Sequence, residues 1–202
     1  MVKSWIVKVV MVIVCSVMLV NVANAKSNFN LLNDSDIQKG AWKLEKKQFK
    51  KVIQRVKVID IFDGDILFLK EDGKTEFPFY LYGCYALYEG FDEAASNLPV
   101  DYFKRLKMKG SYVDIVVMGS YESGGVEVNV GLMWVNDFLI NVDLVKKGYV
   151  TYDKKIPKDA VEGWYVVDEL DFNYLLNCFS KTSHYAEDNK LGVWKNHKFK
   201  RR

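Results

Sequence analysis

The order of strand and helix signals predicts a small α+β domain. It has five short strands, a helix between the third and fourth, and helices at the C-terminal end, the element order of a five-stranded OB-type β-barrel. Three features predict it. Val52–Phe62 and Ile66–Lys70 are β-rich runs joined by Asp63-Gly64-Asp65, a hairpin signal. Tyr112–Met118 alternates apolar and polar residues, and Val126–Val135 is a further β-rich run. Residues 92–108 and 169–189 carry apolar side chains at helical spacing.

A leader precedes the domain. Lys3 and Lys8 make a positive start, Val9–Val20 is an apolar run too short for a membrane span, and Ala23-Asn24-Ala25 is a small-x-small cleavage site. Residues 1–25 are therefore expected to be a signal peptide, and Lys26 the mature N-terminus. Export to the periplasm or the exterior follows, with no stable membrane span left after cleavage. Cys15 follows Val14 rather than a small residue, which argues against lipid attachment. Residues 26–51 read as a polar lead-in, 52–195 as the folded domain and 196–202 as a basic tail. The mature chain is long enough for one domain with a real core.

Charge weighs against a polyanion binder. The chain has 29 basic and 26 acidic residues, and losing Lys3 and Lys8 with the leader leaves 27 basic, a mature balance of +1. A nucleic-acid partner usually brings a basic surplus or patch. The tail Lys195, Lys198, Lys200, Arg201 and Arg202 is clearly basic and reads as a solvated terminus. Cys84 and Cys178 remain after cleavage. An oxidising compartment permits their pairing, and two buried free thiols are the other arrangement.

The elements follow in order. Val52–Phe62 leads through Asp63-Gly64 to Ile66–Lys70, and Glu71–Lys74 turns into a third strand, Thr75–Tyr85. Pro78 within it implies an edge or a bulge. The helix over 92–108 takes Pro99 as a first helical position, with Tyr102, Phe103 and Leu106 as its apolar stripe. Tyr112–Met118 is the fourth strand, 119–125 a polar loop and Val126–Val135 the fifth strand. Asn141–Gly148 is a short helix closed by glycine. Residues 169–189 form the last helix, with Leu170, Tyr174, Leu175, Cys178 and Phe179 on one face.

Four pieces in this order carry a resemblance: the Asp63-Gly64-Asp65-Ile66 turn, Leu81-Tyr82-Gly83-Cys84, Asn141–Val150, and Ala186–Trp194 ending in Gly192-Val193-Trp194. Together, over roughly 52–195, they resemble the staphylococcal-nuclease-like (thermonuclease) family. The resemblance implies an OB-type fold that hydrolyses phosphodiesters in DNA and RNA with calcium. In that chemistry aspartates hold the cation, two arginines stabilise phosphoryl charge and a glutamate activates water. Asp63 and Asp65 match the aspartates of the turn. The first arginine position holds Tyr80, the second metal-ligand position Tyr85, and the glutamate position Tyr88, with Glu89 next to it. The second arginine is expected after the fifth-strand glycine, where Leu132 follows Gly131.

A charge-stabilising arginine at a phosphoryl centre is worth about 10³ to 10⁵ in rate. Tyrosine offers one uncharged donor and does not replace it. The expectation is thus an exported thermonuclease-like protein without nuclease activity, requiring no cofactor and acting as a binding or structural module. Its Tyr80, Tyr82, Tyr85 and Tyr88, with Tyr102 nearby, suit a sugar, a peptide or a protein partner better than a polyanion. The alternative is a divergent calcium nuclease using Asp63, Asp65 and Glu89 with Lys104 or Arg105 recruited. A third expectation is a structural part of an exported assembly, held through residues 26–47. Asp63 and Asp65 also suit plain turn chemistry. His184 and His197 have no catalytic grouping around them.

Overall fold

A computed structural model describes residues 53–87, 93–135, 138–152 and 169–195. The expected signal peptide, the lead-in, Tyr88, Glu89, His197 and the tail 196–202 lie outside the described residues. The described residues form an α+β fold, with a six-stranded sheet, a two-stranded sheet and three helices.

Strand β1 (Ile53–Ile61) pairs antiparallel with β2 (Ile66–Lys70), and β2 with β3 (Glu76–Leu81). The expected 75–85 strand is two pieces. Gly83, at φ +75°, turns the chain, and β4 (Cys84–Tyr85) leaves to pair with β8 (Thr151–Tyr152). A side chain at Gly83 would also strike the Phe179 ring, at 2.6 Å from Cβ. Pro78 sits opposite Phe68 on a stretch of β3 paired with β2 alone, where a missing donor costs nothing.

Helix α1 (Glu93–Arg105) follows. Pro99 lies inside it rather than at its first position. Its ring packs on the β1–β2 turn, so closely that a Cβ at Gly64 would lie 2.2 Å from Pro99 Cγ. Gly64 is needed for that approach and not for a left-handed backbone, since it is not among the positive-φ residues. Phe103 is buried, but Leu106 lies past the helix end and is 37% exposed, so it leaves the expected stripe.

Strands β5 (Tyr112–Ser123) and β6 (Val126–Val135) form one long hairpin. The expected loop over 119–125 is mostly strand. Only Gly124-Gly125 turns, with φ of +60° and +79°, the left-handed pair a two-residue hairpin requires. Strand β7 (Phe138–Leu139) pairs with β6, helix α2 (Ile140–Lys146) follows, and α3 (Glu169–Asp188) packs on α2 ahead of a 3₁₀ turn, Gly192–Lys195.

The sheet order is β3-β2-β1-β5-β6-β7, with neighbours antiparallel. Phe79–Leu81 of β3 also pairs parallel with Asn129–Gly131 of β6. The pairings β1–β2–β3–β6–β5–β1 therefore run in a closed circuit. Val56, Val58, Leu67, Leu69, Phe79, Leu81, Ile115 and Leu132 of these strands are fully buried in one hydrophobic core. Each such side chain contributes about 1.5–3 kcal/mol of burial.

Asn141, fully buried on α2, ties the helix to the sheet. Its Oδ1 accepts from Met133 N–H (2.9 Å), and its Nδ2 donates to Tyr82 O (2.9 Å) and Gly131 O (3.1 Å). Helix α2 ends as expected at glycine: Gly148, at φ +65°, donates to Val145 O while Tyr149 N–H donates to Leu144 O. Cys84 and Cys178 are both buried free thiols, so the disulfide permitted by the sequence is not formed. Among the described residues, no helix is long and apolar enough to cross a membrane.

Candidate functional site

The site predicted from the sequence centres on Asp65, at the entry to β2. Its backbone carbonyl accepts from Leu81 N–H (2.8 Å), which fixes the start of β2 against the end of β3. Its carboxylate is 5% exposed, and Oδ2 accepts from Ala86 N–H at 2.7 Å. Burial pushes the carboxyl up to about 6. The Ala86 N–H pulls it down and Asp63 pushes it further up. Among the described residues, no cation is one of the groups acting on it. Asp63 is half-buried, and its Oδ1 accepts from Gly64 N–H (2.5 Å), a local turn bond.

Tyr80 pairs opposite Ile66, one residue beyond Asp65. The ring is half-buried against the core, and its hydroxyl donates to Cys84 O at 2.5 Å. The phenol is thereby committed to the backbone of β4. Cys84 lies within the same field. Burial first, then Asp65, raises its thiol well above the usual range, and Sγ donates to Asn141 O at 3.5 Å. A thiol held protonated in this way is no nucleophile.

Tyr121 of β5 also feels this carboxylate, since burial and then Asp65 raise its phenol. Sequence reasoning missed it because 119–125 read as a loop. Continuing the strand alternation past Met118 was the signal that could have found it.

The expected tyrosines divide. Tyr85 is 41% exposed on β4. Tyr82 faces the interior instead, its ring 5.9 Å from Phe179 and 6.4 Å from Phe172. Leu132, at the expected arginine position, is fully buried core opposite Val116. Tyr102 belongs to a separate cluster between α1 and α2. Its hydroxyl donates to Asp143 Oδ2 (2.6 Å), and Lys147 Nζ holds both oxygens of that carboxylate at 2.7 and 2.8 Å.

Neither recruitable cation is among the groups acting on the Asp65 carboxyl. Arg105 lies over the Tyr102 and Tyr149 rings, 5.7 and 5.9 Å from their centroids, and Lys104 pairs with Asp101 at 3.3 Å. Nor do the described residues fit calcium. A hard cation takes six to eight oxygens. Here Asp65 is buried with one oxygen bonded to Ala86 N–H, and no group of three or more acidic, histidine or cysteine side chains is assembled among the described residues.

The arrangement can exchange hydrogen bonds and offer aromatic surface. Among the described residues it supplies no phosphate-gripping cation. Compared with protein-family models and with curated proteins, the chain matches none.

Proposed function

We propose that the domain is an OB-type barrel of the thermonuclease-like kind, exported, which binds rather than cleaves. The closed circuit of strands, the parallel β3–β6 pairing and the helix between β4 and β5 support the barrel. One observation carries the loss of catalysis. Where a nuclease of this kind needs an arginine beside a metal-bound aspartate, a phenol is bonded to Cys84 O and the aspartate is buried with no cation of the described residues acting on it. The ligand that suits the remaining surface is uncharged and extended, a neutral glycan or peptide laid against Tyr85 and the exposed part of Tyr80.

The test is hydrolysis of DNA and RNA by the chain from Lys26 onward, with calcium or chelator, beside Asp65→Ala. The expected result is no cleavage above the variant in either condition. Calcium-dependent cleavage abolished by Asp65→Ala would instead establish the divergent nuclease. Titration of neutral oligosaccharides and of single-stranded DNA, followed by tyrosine fluorescence, tests the ligand class. Tighter binding of the DNA would overturn the neutral-ligand assignment.

A further inference from the structure

A cleft of about 340 Å³ opens where the end of β1 faces the last turns of α1 and the segment after it. None of Asp63, Asp65, Tyr80 or Tyr85 lines it. Ile61, Val100 and Met108 make it apolar, while Lys104, Lys107 and Lys109 bring three positive charges and Asp60 one carboxylate. That volume lies at the lower end for small-molecule sites, and an apolar wall with a few polar groups is their usual make-up.

The charges are unevenly matched. Lys109 pairs with Asp60 at 2.8 Å and Lys104 with Asp101 at 3.3 Å. All four side chains are more than half exposed, so these pairs are loosely held. Among the described residues, Lys107 forms no ion pair. Its backbone is unusual as well. Lys107 has φ of +53° and closes α1, donating to Lys104 O while Met108 N–H donates to Phe103 O. Helix ends of this shape favour glycine. A lysine there accepts backbone strain and keeps a charge at the cleft.

We propose that this cleft binds a small phosphate monoester carried on an apolar ring. Lys107 and Lys104 take the phosphate oxygens, and Ile61 and Val100 take the ring. Ammonium groups suit phosphate as compact point charges. The site is separate from the Asp65 region and does not depend on the function proposed there.

Calorimetric titration of the full chain with adenosine 5′-monophosphate, adenosine and inorganic phosphate tests it. The monophosphate is expected to bind with Kd below about 1 mM at low salt. Adenosine and phosphate are each expected to bind about tenfold weaker, since each engages half the site. Lys107→Gly removes the charge and suits the left-handed backbone, so it preserves the fold. It should weaken the monophosphate about threefold to tenfold.

Asp60→Asn removes the competing carboxylate and can still accept from Ile61 N–H, so it should tighten binding. The proposal is overturned if the monophosphate fails to bind or binds no tighter than phosphate alone. It is equally overturned if folded Lys107→Gly binds unchanged, or if Asp60→Asn weakens binding.

Discussion

Asp65→Asn is the substitution whose outcome the structure specifies most closely. The carboxyl is 5% exposed and titrates at about 6 rather than 3.8, chiefly because burial disfavours its charge. The unfolded chain releases this proton near 3.8, whereas the folded chain holds it to about 6. Between those values the folded state binds more protons, so stability falls as pH rises. Below 3.8 the penalty is absent, and above about 6 it is fully present. At about 1.36 kcal/mol per pH unit, the displacement from 3.8 to about 6 amounts to about 3 kcal/mol.

Asparagine keeps an acceptor for Ala86 N–H and removes the charge, although its amide must find a partner of its own. The expected gain at pH 7.5 is therefore about 1–3 kcal/mol, or about 2–12 °C in Tm for a chain of this size. It should shrink towards zero near pH 4. Urea unfolding of both proteins from pH 4 to 7.5, followed by circular dichroism, measures it. A variant less stable than the wild type at pH 7.5, with a wild type insensitive to pH over this range, would refute the reasoning. The carboxylate would then be compensated in the fold, and calcium-dependent stabilisation of the wild type alone would identify the compensating charge.

Asn141→Ala leaves Met133 N–H, Tyr82 O and Gly131 O without this partner in the core, so a loss of about 3 kcal/mol or more is expected. A change in the urea-derived stability below about 1 kcal/mol would contradict that role. Gly148→Ala and Gly110→Ala form a matched pair. Both residues have positive φ, but a Cβ at Gly148 meets Leu191 O at 2.4 Å while one at Gly110 meets nothing within 4 Å. Gly110→Ala should cost about 1–2 kcal/mol from backbone strain alone, and Gly148→Ala clearly more; equal costs would discount the contact. Burial holds the Cys84 thiol well above its usual range and pushes Cys178 up to about 12. An aromatic disulfide reagent should therefore leave both unmodified in the native protein and label both in denaturant. Rapid native labelling of either would place that thiol at the surface.

Local chemistry made much of this chain legible before any coordinates. Ile66–Lys70 and Val126–Val135 are strands with the expected bounds, because apolar runs with β-branched and aromatic residues end at turn residues on both sides. The glycine cap of α2 was equally readable, since Gly148 supplies the left-handed conformation that closes a helix. The expected turn Asp63-Gly64-Asp65 is a hairpin, although its glycine serves a contact with Pro99 that is 35 residues away and invisible to local pattern.

The site shows the same limit. The resemblance implied that Tyr80 and Asp65 share a site, and strand pairing brings them together. Residue type did not distinguish Tyr82, which packs on Phe172 and Phe179, from Tyr85, which faces solvent. The sequence by itself determined the strand or helix type of the longer elements, the charge balance and the absence of an arginine at position 80. Period and propensity are local, and residue identity needs no fold. Only the tertiary structure decided that the strand pairings run in a closed circuit, that Asp65 is buried and that Lys107 stands in a left-handed helix end beside two other lysines. Burial, electric field and cleft shape arise from residues distant in the chain, and no local pattern encodes their distances.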